Sequence, residues 1–288
     1  MKKILTQSFL ILAFFTSNAQ QINFIEYDLE NGLHVILHQD NSAPVVSATL
    51  QYHVGSKDED DGLKGFAHLF EHMLGKETKN MDSGQWGKIY SARGGSGNAS
   101  TSVDLTNYYV TVPSNSLKLA LWRYSEIMLH PIIEQETIDI QREAVKEEKR
   151  LRYNQPYIPR FYDYLKRNFF KKHPYQHPII GYFEDLDSSS LEDFLNFKEK
   201  FYAPSNAVFV VAGDIDIDET KKLISEYFDE IPYKGEKPEK NYPLEEPLSK
   251  EIRVKEYDPN IQIPALFYAF RTPAISNSCL LYTSPSPR

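Results

Sequence analysis

Two histidines, His68 and His72, flank Glu71 within residues 65–74. On a helix that turns by about 100° per residue, these three side chains fall within an arc of about 100°. The far side of the same helix carries apolar side chains: Phe66, Leu69, Phe70 and Met73. Two imidazoles four residues apart can reach one metal ion, and a carboxylate beside them can take a proton from an attacking water. The motif predicts zinc held by His68 and His72, with Glu71 as the catalytic base; a polar helix face with two ordinary histidines is the alternative.

A third protein ligand is needed, because a catalytic zinc site combines three protein ligands with one open position. Residues 137–153 form a predicted helix whose apolar face contains Ile138, Ile140, Ala144, Val145 and Leu151. Glu148 lies near the centre of that face, whereas Glu147 lies at its edge. Burying an unpaired carboxylate is costly, and metal coordination removes that cost. We therefore expect Glu148 to be the third ligand, with Gln141 supporting the site by hydrogen bonding. An ion pair of Glu148 with a lysine or arginine at a helix crossing is the alternative.

The elements that must position these residues begin with a predicted hairpin, in which residues 25–27 and 33–37 flank an Asn31-Gly32 turn. Residues 45–54 form the next predicted strand, and residues 65–74 switch to a helical spacing that ends at Gly75. Further strands are predicted at 100–113 and 207–212, and further helices at 117–129, 136–153, 219–228 and from Ser190, whose hydroxyl can cap a helix. This mixture without regular alternation predicts an α+β layered domain, in which helices flank a mixed or antiparallel sheet.

Two other polar clusters are not expected to take part in the chemistry. Residues 57–61, Lys-Asp-Glu-Asp-Asp, are predicted to form a solvated acidic loop. His173 and His177 flank prolines in a loop and are expected to be structural.

The first 19 residues have the layout of a secretory signal peptide. Lys2 and Lys3 precede an apolar run at 9–15, and small residues lead to Ala19. The run is too short to favour a membrane-spanning helix, and a buried N-terminal strand is the alternative. Cleavage after Ala19 predicts a periplasmic or secreted protein without a transmembrane segment. Losing the two lysines changes the net charge from −8 to −10, and so acidic a protein is a poor nucleic-acid binder.

The last part of the chain differs in composition. Residues 234–250 are rich in Lys, Glu and Pro and are predicted to be a solvated linker, and a strand is predicted at 265–271. The only cysteine, Cys279, lies near the end, so the body of an exported chain forms no internal disulfide. Residues 279–288 resemble translated sequencing-adaptor sequence and are predicted to be non-native; a natural disordered tail is the alternative.

The motifs resemble those of the pitrilysin/insulinase family of zinc peptidases, the inverzincins, in which H-x-x-E-H precedes a glutamate ligand by about 75 residues. Here 75 residues lie between His72 and Glu148. A glycine-rich turn and Asn-Ala strand at 94–101 and the landmarks at 174–181 and 201–214 are also similar. The resemblance covers approximately residues 24–275.

The resemblance implies two similar α+β domains in a half-unit, and two half-units that enclose a peptide substrate. It therefore implies one Zn²⁺ per chain and a second half-unit or partner chain. The strand with Asn98, Ala99 and Ser100 would offer its edge to an extended peptide, and a merely structural edge is the alternative. Gln141 departs from the family, since many active members carry glutamate there; the change bears on catalytic efficiency more than on metal binding.

By this resemblance, residues 20–233 form the peptidase domain, residues 234–250 a linker, and residues 251–278 the start of a truncated second domain. The sequence thus predicts an exported zinc endopeptidase or oligopeptidase that hydrolyses peptide bonds with a metal-activated water. A non-catalytic assembly or regulatory subunit and a metal-dependent peptide-binding module are the alternatives. The presence of all three predicted ligands and of Glu71 favours the enzyme.

Overall fold

The computed structural model describes residues 22–236, 238–259 and 261–272. The predicted signal peptide and the predicted non-native tail lie outside these residues. The described strands are β1 (Ile25–Asp28), β2 (His34–Gln39), β3 (Val45–Tyr52), β4 (Ser96–Thr101), β5 (Thr106–Pro113) and β6 (Ala207–Gly213). The described α-helices are α1 (Phe66–Met73), α2 (Gln85–Ser91), α3 (Leu117–Leu129), α4 (Gln135–Tyr153), α5 (Ile158–Phe169), α6 (Phe183–Ser188), α7 (Leu191–Phe201) and α8 (Ile217–Phe228). Short 3₁₀ helices occur at Ser56–Asp58, Ser114–Ser116, Pro174–Gln176 and Pro204–Asn206.

The strands form one mixed sheet in the order β1-β2-β6-β3-β5-β4. β6 pairs in parallel with β2 and antiparallel with β3, and the remaining neighbours are antiparallel. The last of the described strands, β6, therefore lies near the middle of the sheet, and β4 lies at one edge. This arrangement confirms the predicted α+β class with a mixed sheet flanked by helices.

One face of the sheet is buried and the other is open, as is common for largely antiparallel sheets. On β3, the predicted alternation is confirmed, since Val46, Ala48, Leu50 and Tyr52 are buried. Helix α3 packs on the same core, where the Tyr124 hydroxyl donates to the Ala48 carbonyl at 3.1 Å. The buried face of the sheet is thus the surface against which the helices pack.

Helix α1 packs against both α4 and the edge strand β4. Its Phe66 ring lies 4.3 Å from the Phe194 ring of α7, measured between centroids. The predicted cap of α7 is confirmed, because the Ser190 side chain accepts from the Asp193 N–H. These contacts place the histidine motif between a long helix and an open strand.

The single strand predicted at 100–113 was wrong, because the chain turns back on itself within that range. Strands β4 and β5 are paired antiparallel, and the Ser102 N–H donates to the Leu105 carbonyl at 2.8 Å in the turn between them. The Ser102 hydroxyl also accepts from the N–H groups of Asp104 and Leu105. A serine that binds the backbone two and three residues ahead favours a turn over a continuous strand.

Helices α2, α5 and α6 were not predicted. After α8, the described residues form no helix or strand, so the strand predicted at 265–271 was also wrong for the part of the chain that the structure describes. The predicted linker is not simply solvated, because Glu245 accepts from the backbone N–H groups of Lys171, Lys172 and His173 at 2.6, 2.6 and 2.8 Å. Among all described residues, no helix is long and apolar enough to cross a membrane.

Candidate metal centre

Helix α1 carries His68, Glu71 and His72, and it is held at its first turn by a residue outside the helix. Gly65 precedes the helix with φ of +97°, a backbone conformation that favours glycine. The two oxygens of Glu59 accept from the Gly65 and Ala67 N–H groups, both at 2.8 Å. These bonds satisfy backbone donors that the first turn of a helix leaves unpaired.

The acidic segment at 57–61 is therefore not a solvated loop throughout, and that prediction was wrong for Asp58 and Glu59, which are buried. Burial raises the pKa of the Glu59 carboxyl well above its usual range, while the two backbone N–H donors act in the opposite direction. His177 Nδ1 lies 3.7 Å from a Glu59 oxygen. Glu59 therefore has a structural role, because it holds the first turn of α1, and His177 is its neighbour.

Helix α4 supplies Glu148, although its buried face is narrower than predicted. Ile138 and Val145 are fully buried, whereas Ile140, Ala144 and Leu151 are exposed. Glu148 is partly exposed and lies outside the buried stripe, so its predicted position at the centre of that face was wrong. The stripe consists of residues three and four apart, as expected for one face of a helix: Ile138, Gln141, Val145 and Lys149. The Glu148 side chain is 26% exposed and that of Glu147 is 58% exposed, so the predicted difference between the neighbours has the expected direction.

The structure brings the predicted ligands together. One ligand atom from each of His68, His72 and Glu148 lies within 4.8 Å of the other two. Oε2 of Glu148 is 3.7 Å from Nε2 of His68 and 3.4 Å from Nε2 of His72. The imidazole rings are 4.8 Å apart between centroids and cross at 74°. Two nitrogens and one carboxylate oxygen thus face one common space.

The protonation states suit metal ligation. Burial, aided by the charge of His72, lowers the pKa of His68 to about 4, so its imidazole is neutral at pH 7 and keeps a lone pair. The hydrogen bond with His72 lowers the pKa of Glu148, so this carboxyl is ionised. Two imidazole nitrogens and one carboxylate oxygen are a donor set that fits zinc, with room for one further ligand.

Glu71 lies beside these three residues and is held by a neighbouring strand. The Thr101 hydroxyl of β4 donates to Oε2 of Glu71 at 2.5 Å. Burial raises the pKa of Glu71, although the Thr101 hydrogen bond opposes the shift. A raised pKa makes the ionised carboxylate a better proton acceptor.

The three predicted ligands, Glu71, Thr101 and three further residues of β4 line a cavity of about 340 Å³. These β4 residues are Asn98, Ala99 and Ser100, the positions predicted to bind substrate. Because β4 is the last strand of the described sheet on this side, one of its edges is not paired with another strand. An unpaired strand edge beside a cavity can accept an extended peptide.

Gln141 is buried on α4 but does not line this cavity. Sequence reasoning missed Arg152, which lines the cavity and forms an ion pair with Oε1 of Glu148. Its position four residues after Glu148 on the same helix was the available signal. Glu148 thus presents one oxygen to the histidines and the other to Arg152, so the predicted alternatives of metal ligation and ion pairing do not exclude each other. Thr101 was also missed as the partner of Glu71.

Comparison with protein families gives two matches. The family model described as insulinase, peptidase family M16, matches residues 34–182, which is just over half of the chain. The model described as the peptidase M16 inactive domain matches residues 188–282.

The zinc protease PqqE of Helicobacter pylori is 32% identical over 210 residues, covering 73% of this chain and 47% of that protein. A crystal structure of a protease from Helicobacter pylori superposes with a TM-score of 0.71 at 30% identity, covering 78% of this chain and 53% of that one. The periplasmic protease PqqL of Escherichia coli also gives a TM-score of 0.71, at 25% identity, and covers 78% of this chain and 26% of its own. The chain spans about half the length of the curated relatives that it matches. By its family match and its fold, the chain belongs to the insulinase family of metallopeptidases, peptidase family M16.

Proposed function

We propose that this chain is the metal-binding half of a zinc peptidase, with His68, His72 and Glu148 as ligands and Glu71 as the general base. The observation that carries the proposal is the convergence of three ligand atoms within 4.8 Å, with Glu71 lining the same cavity. The zinc proteases among the relatives support the choice of metal.

When bound, zinc would act as a Lewis acid on the scissile carbonyl and lower the pKa of water. Glu71 accepts the proton of the attacking water, and its position one residue before His72 keeps its carboxylate beside the ligands. Thr101 fixes one Glu71 oxygen by donating to it at 2.5 Å, which leaves the other oxygen for the proton. Arg152 holds the outer oxygen of Glu148 and so limits its rotation.

The substrate in this proposal is an extended peptide that pairs with the open edge of β4. Asn98, Ala99 and Ser100 line the cavity from that strand, so a paired peptide would pass directly over Glu71 and the histidines. Main-chain pairing gives affinity without reading the sequence, and adjoining pockets give specificity. A second half-unit or partner chain would complete the enclosure of the peptide.

The assignment of Glu71 is tested by Glu71→Gln in the protein with its C-terminal continuation. Zinc content should stay at that of the unmodified protein, because Glu71 is not a ligand, while peptide hydrolysis should fall by roughly 100-fold or more, the usual contribution of a positioned base. Metal analysis and cleavage of a mixed peptide library measure the two effects. Glu77→Gln, on the loop after α1, is the matched control. Full activity in a zinc-loaded Glu71→Gln protein would refute the role.

We also propose export, with removal of residues 1–19. The layout of the N-terminal segment supports this, and PqqL of Escherichia coli is described as periplasmic. Mass spectrometry of the exported protein should find a mature chain that begins at Gln20. A mature exported protein that still carries Met1 would contradict the proposal.

A further inference from the structure

A second pocket of about 360 Å³ adjoins the metal centre on the other side of Glu71 and His72. We call it the aromatic pocket, because Trp86 and Tyr90 of α2 and Tyr108 of β5 form its walls, with Arg123 of α3. Glu71, His72, Asn98 and Ala99 line both the aromatic pocket and the cavity described above. A peptide lying along β4 would therefore pass from one pocket into the other.

Arg123 is a cation without an anionic partner in the described part of the chain. Its guanidinium carbon lies 5.5 Å from the Trp86 ring, 5.3 Å from the Tyr90 ring and 5.8 Å from the Tyr124 ring, measured to centroids. Its Nε and Nη1 atoms are buried, and neither has a hydrogen-bond acceptor among the described residues. Aromatic faces offset part of the cost of burying the charge, but they do not satisfy these N–H groups.

Trp86 also has a buried donor without a hydrogen-bond acceptor. Its indole Nε1 is buried and has no acceptor within the described ranges, and its ring is one of the three that Arg123 approaches. Leaving a buried donor unsatisfied costs about 1–3 kcal/mol, and more when the donor is charged. Donors of this kind, on two residues that line one open pocket, indicate a ligand that brings oxygen acceptors and negative charge.

We propose that the aromatic pocket binds a carboxylate of the peptide substrate, and that Arg123 determines this specificity; the inference rests on the proposed peptidase function. A carboxylate only accepts hydrogen bonds and can take two from a guanidinium, with Trp86 Nε1 as a further donor. Lys76, exposed at the pocket, adds a second positive charge. Glu71 is the one carboxylate that lines the pocket among the described residues, and Thr101 already donates to it.

The carboxylate has two possible sources with the same chemistry. It is either the side chain of an aspartate or glutamate in the peptide, or the free carboxyl group at the peptide's C-terminus. The first source makes the chain an endopeptidase or oligopeptidase with an acidic preference next to the cleaved bond, and the second places cleavage close to the end of a peptide.

The test measures binding to the full chain without metal, so that cleavage does not interfere. In the first set of peptides both termini are blocked, by acetylation and amidation, and each position in turn carries either Asp or its neutral counterpart Asn. In the second set no peptide contains Asp, and the C-terminus is either a free carboxylate or an amide. Fluorescence of the two tryptophans, whose rings lie 5.1 Å apart, reports binding. Either the Asp side chain or the free C-terminal carboxylate should improve affinity by roughly 10- to 100-fold over its neutral counterpart. The carboxylate that has this effect is the source that the pocket recognises.

Arg123→Met should remove this preference, so that the charged and neutral peptides bind alike, and Arg123→Lys should retain part of it. Lys118→Met, an exposed cation on the same helix, is the matched control and should retain all of it. If Arg123→Met does not fold by circular dichroism, Trp86→Phe and the comparison of peptides on the unmodified chain decide the question.

Equal binding of charged and neutral peptides, or a preference that survives in folded Arg123→Met, would overturn the proposal. A failure of this proposal can be told apart from a failure of the proposed function, because zinc content and hydrolysis are measured separately. A zinc-loaded chain that cleaves peptides without any carboxylate preference refutes only the role of Arg123. A preference without zinc-dependent cleavage refutes only the peptidase.

Discussion

The three predicted zinc ligands are held in place by different means. His68 is almost fully buried, so packing fixes its ring, whereas His72 and Glu148 each keep about a quarter of their side-chain surface exposed. Arg152 compensates for this freedom at Glu148 by binding the oxygen that faces away from the histidines. Arg152, which sequence reasoning overlooked, thus supports the one carboxylate among the three predicted ligands.

The register of α4 is tested by a pair of neighbouring substitutions. The loss of a residue that supports a metal ligand lowers metal affinity by roughly 10- to 100-fold. Glu148→Gln should lower zinc affinity by more than this, because it replaces a predicted carboxylate ligand itself. Glu147→Gln should leave zinc affinity unchanged, since that side chain points outward and pairs with Arg150. Metal analysis of both purified proteins measures the difference. Zinc loss in the Glu147 variant alone would show that the register is wrong.

Local geometry explains which site residues the sequence could reveal. Residues four apart on one helix meet regardless of the rest of the fold, so His68 and His72 could be paired from spacing alone. Thr101 lies 30 residues from Glu71 and meets it only because β4 packs against α1. Glu59 looks like any acid in a charged run, and only the three-dimensional structure shows that it is buried.

At the scale of elements, α1 is too short to be stable alone. Helices of fewer than about 12 residues are marginal in water, so the eight residues Phe66–Met73 depend on packing and on hydrogen bonds at their ends. Glu59 supplies two such bonds. The orientation of both histidines therefore depends on an acid that precedes the motif by nine residues.

Glu59→Ala should lower the free energy of unfolding by on the order of 2 kcal/mol or more, because two backbone donors lose their acceptor in a buried place. It should also weaken zinc binding by loosening the first turn of α1. Asp60→Ala, at the exposed neighbour, should change stability by less than about 0.5 kcal/mol. Denaturant titration and zinc titration of both variants measure these effects. Equal stability of the two variants would show that Glu59 does not hold the helix.

The elements themselves were predicted unevenly. Helix α3 and strand β3 were recognised because their apolar residues follow one period over many residues. The hairpin β4–β5 was predicted as one strand because the run is rich in Thr, Val and Tyr, which favour strands. Ser102 and Asp104 interrupt this run only briefly, so the turn was overlooked. On α4, Ile140 and Leu151 are apolar but exposed, so counting them widened the predicted face.

At the scale of the whole molecule, the predicted site and the exposed apolar surface lie in different parts of the chain. The predicted ligands and the predicted base all precede Arg150, whereas a long apolar part of the later segment is exposed, including Leu266, Tyr268 and Phe270. An exposed apolar stretch of this kind marks a surface that other parts of a protein normally cover.

The 288-residue chain, expressed alone, should bind zinc yet cleave peptides poorly. Efficient hydrolysis requires a positioned peptide and stabilisation of the developing negative charge, and we expect part of both from the second half-unit. Cleavage of a peptide library by the zinc-loaded chain, with and without the C-terminal continuation supplied in trans, measures the effect. Turnover by the chain alone that matches the complete protein would show that the active site is not divided.

The central position of β6 has a consequence for synthesis on the ribosome. Until residues 207–213 have been made, the earlier strands can pair only as two separate pieces, β1 with β2 and β3 with β5 and β4. Closing the sheet pairs β6 with β2, whose partners are 174 residues apart, as in His34 with Val208, and contacts of such separation form slowly. A nascent chain that already displays both histidines and Glu148 therefore exposes two unpaired strand edges for as long as β6 is being translated, and during that interval it is a natural client for chaperones.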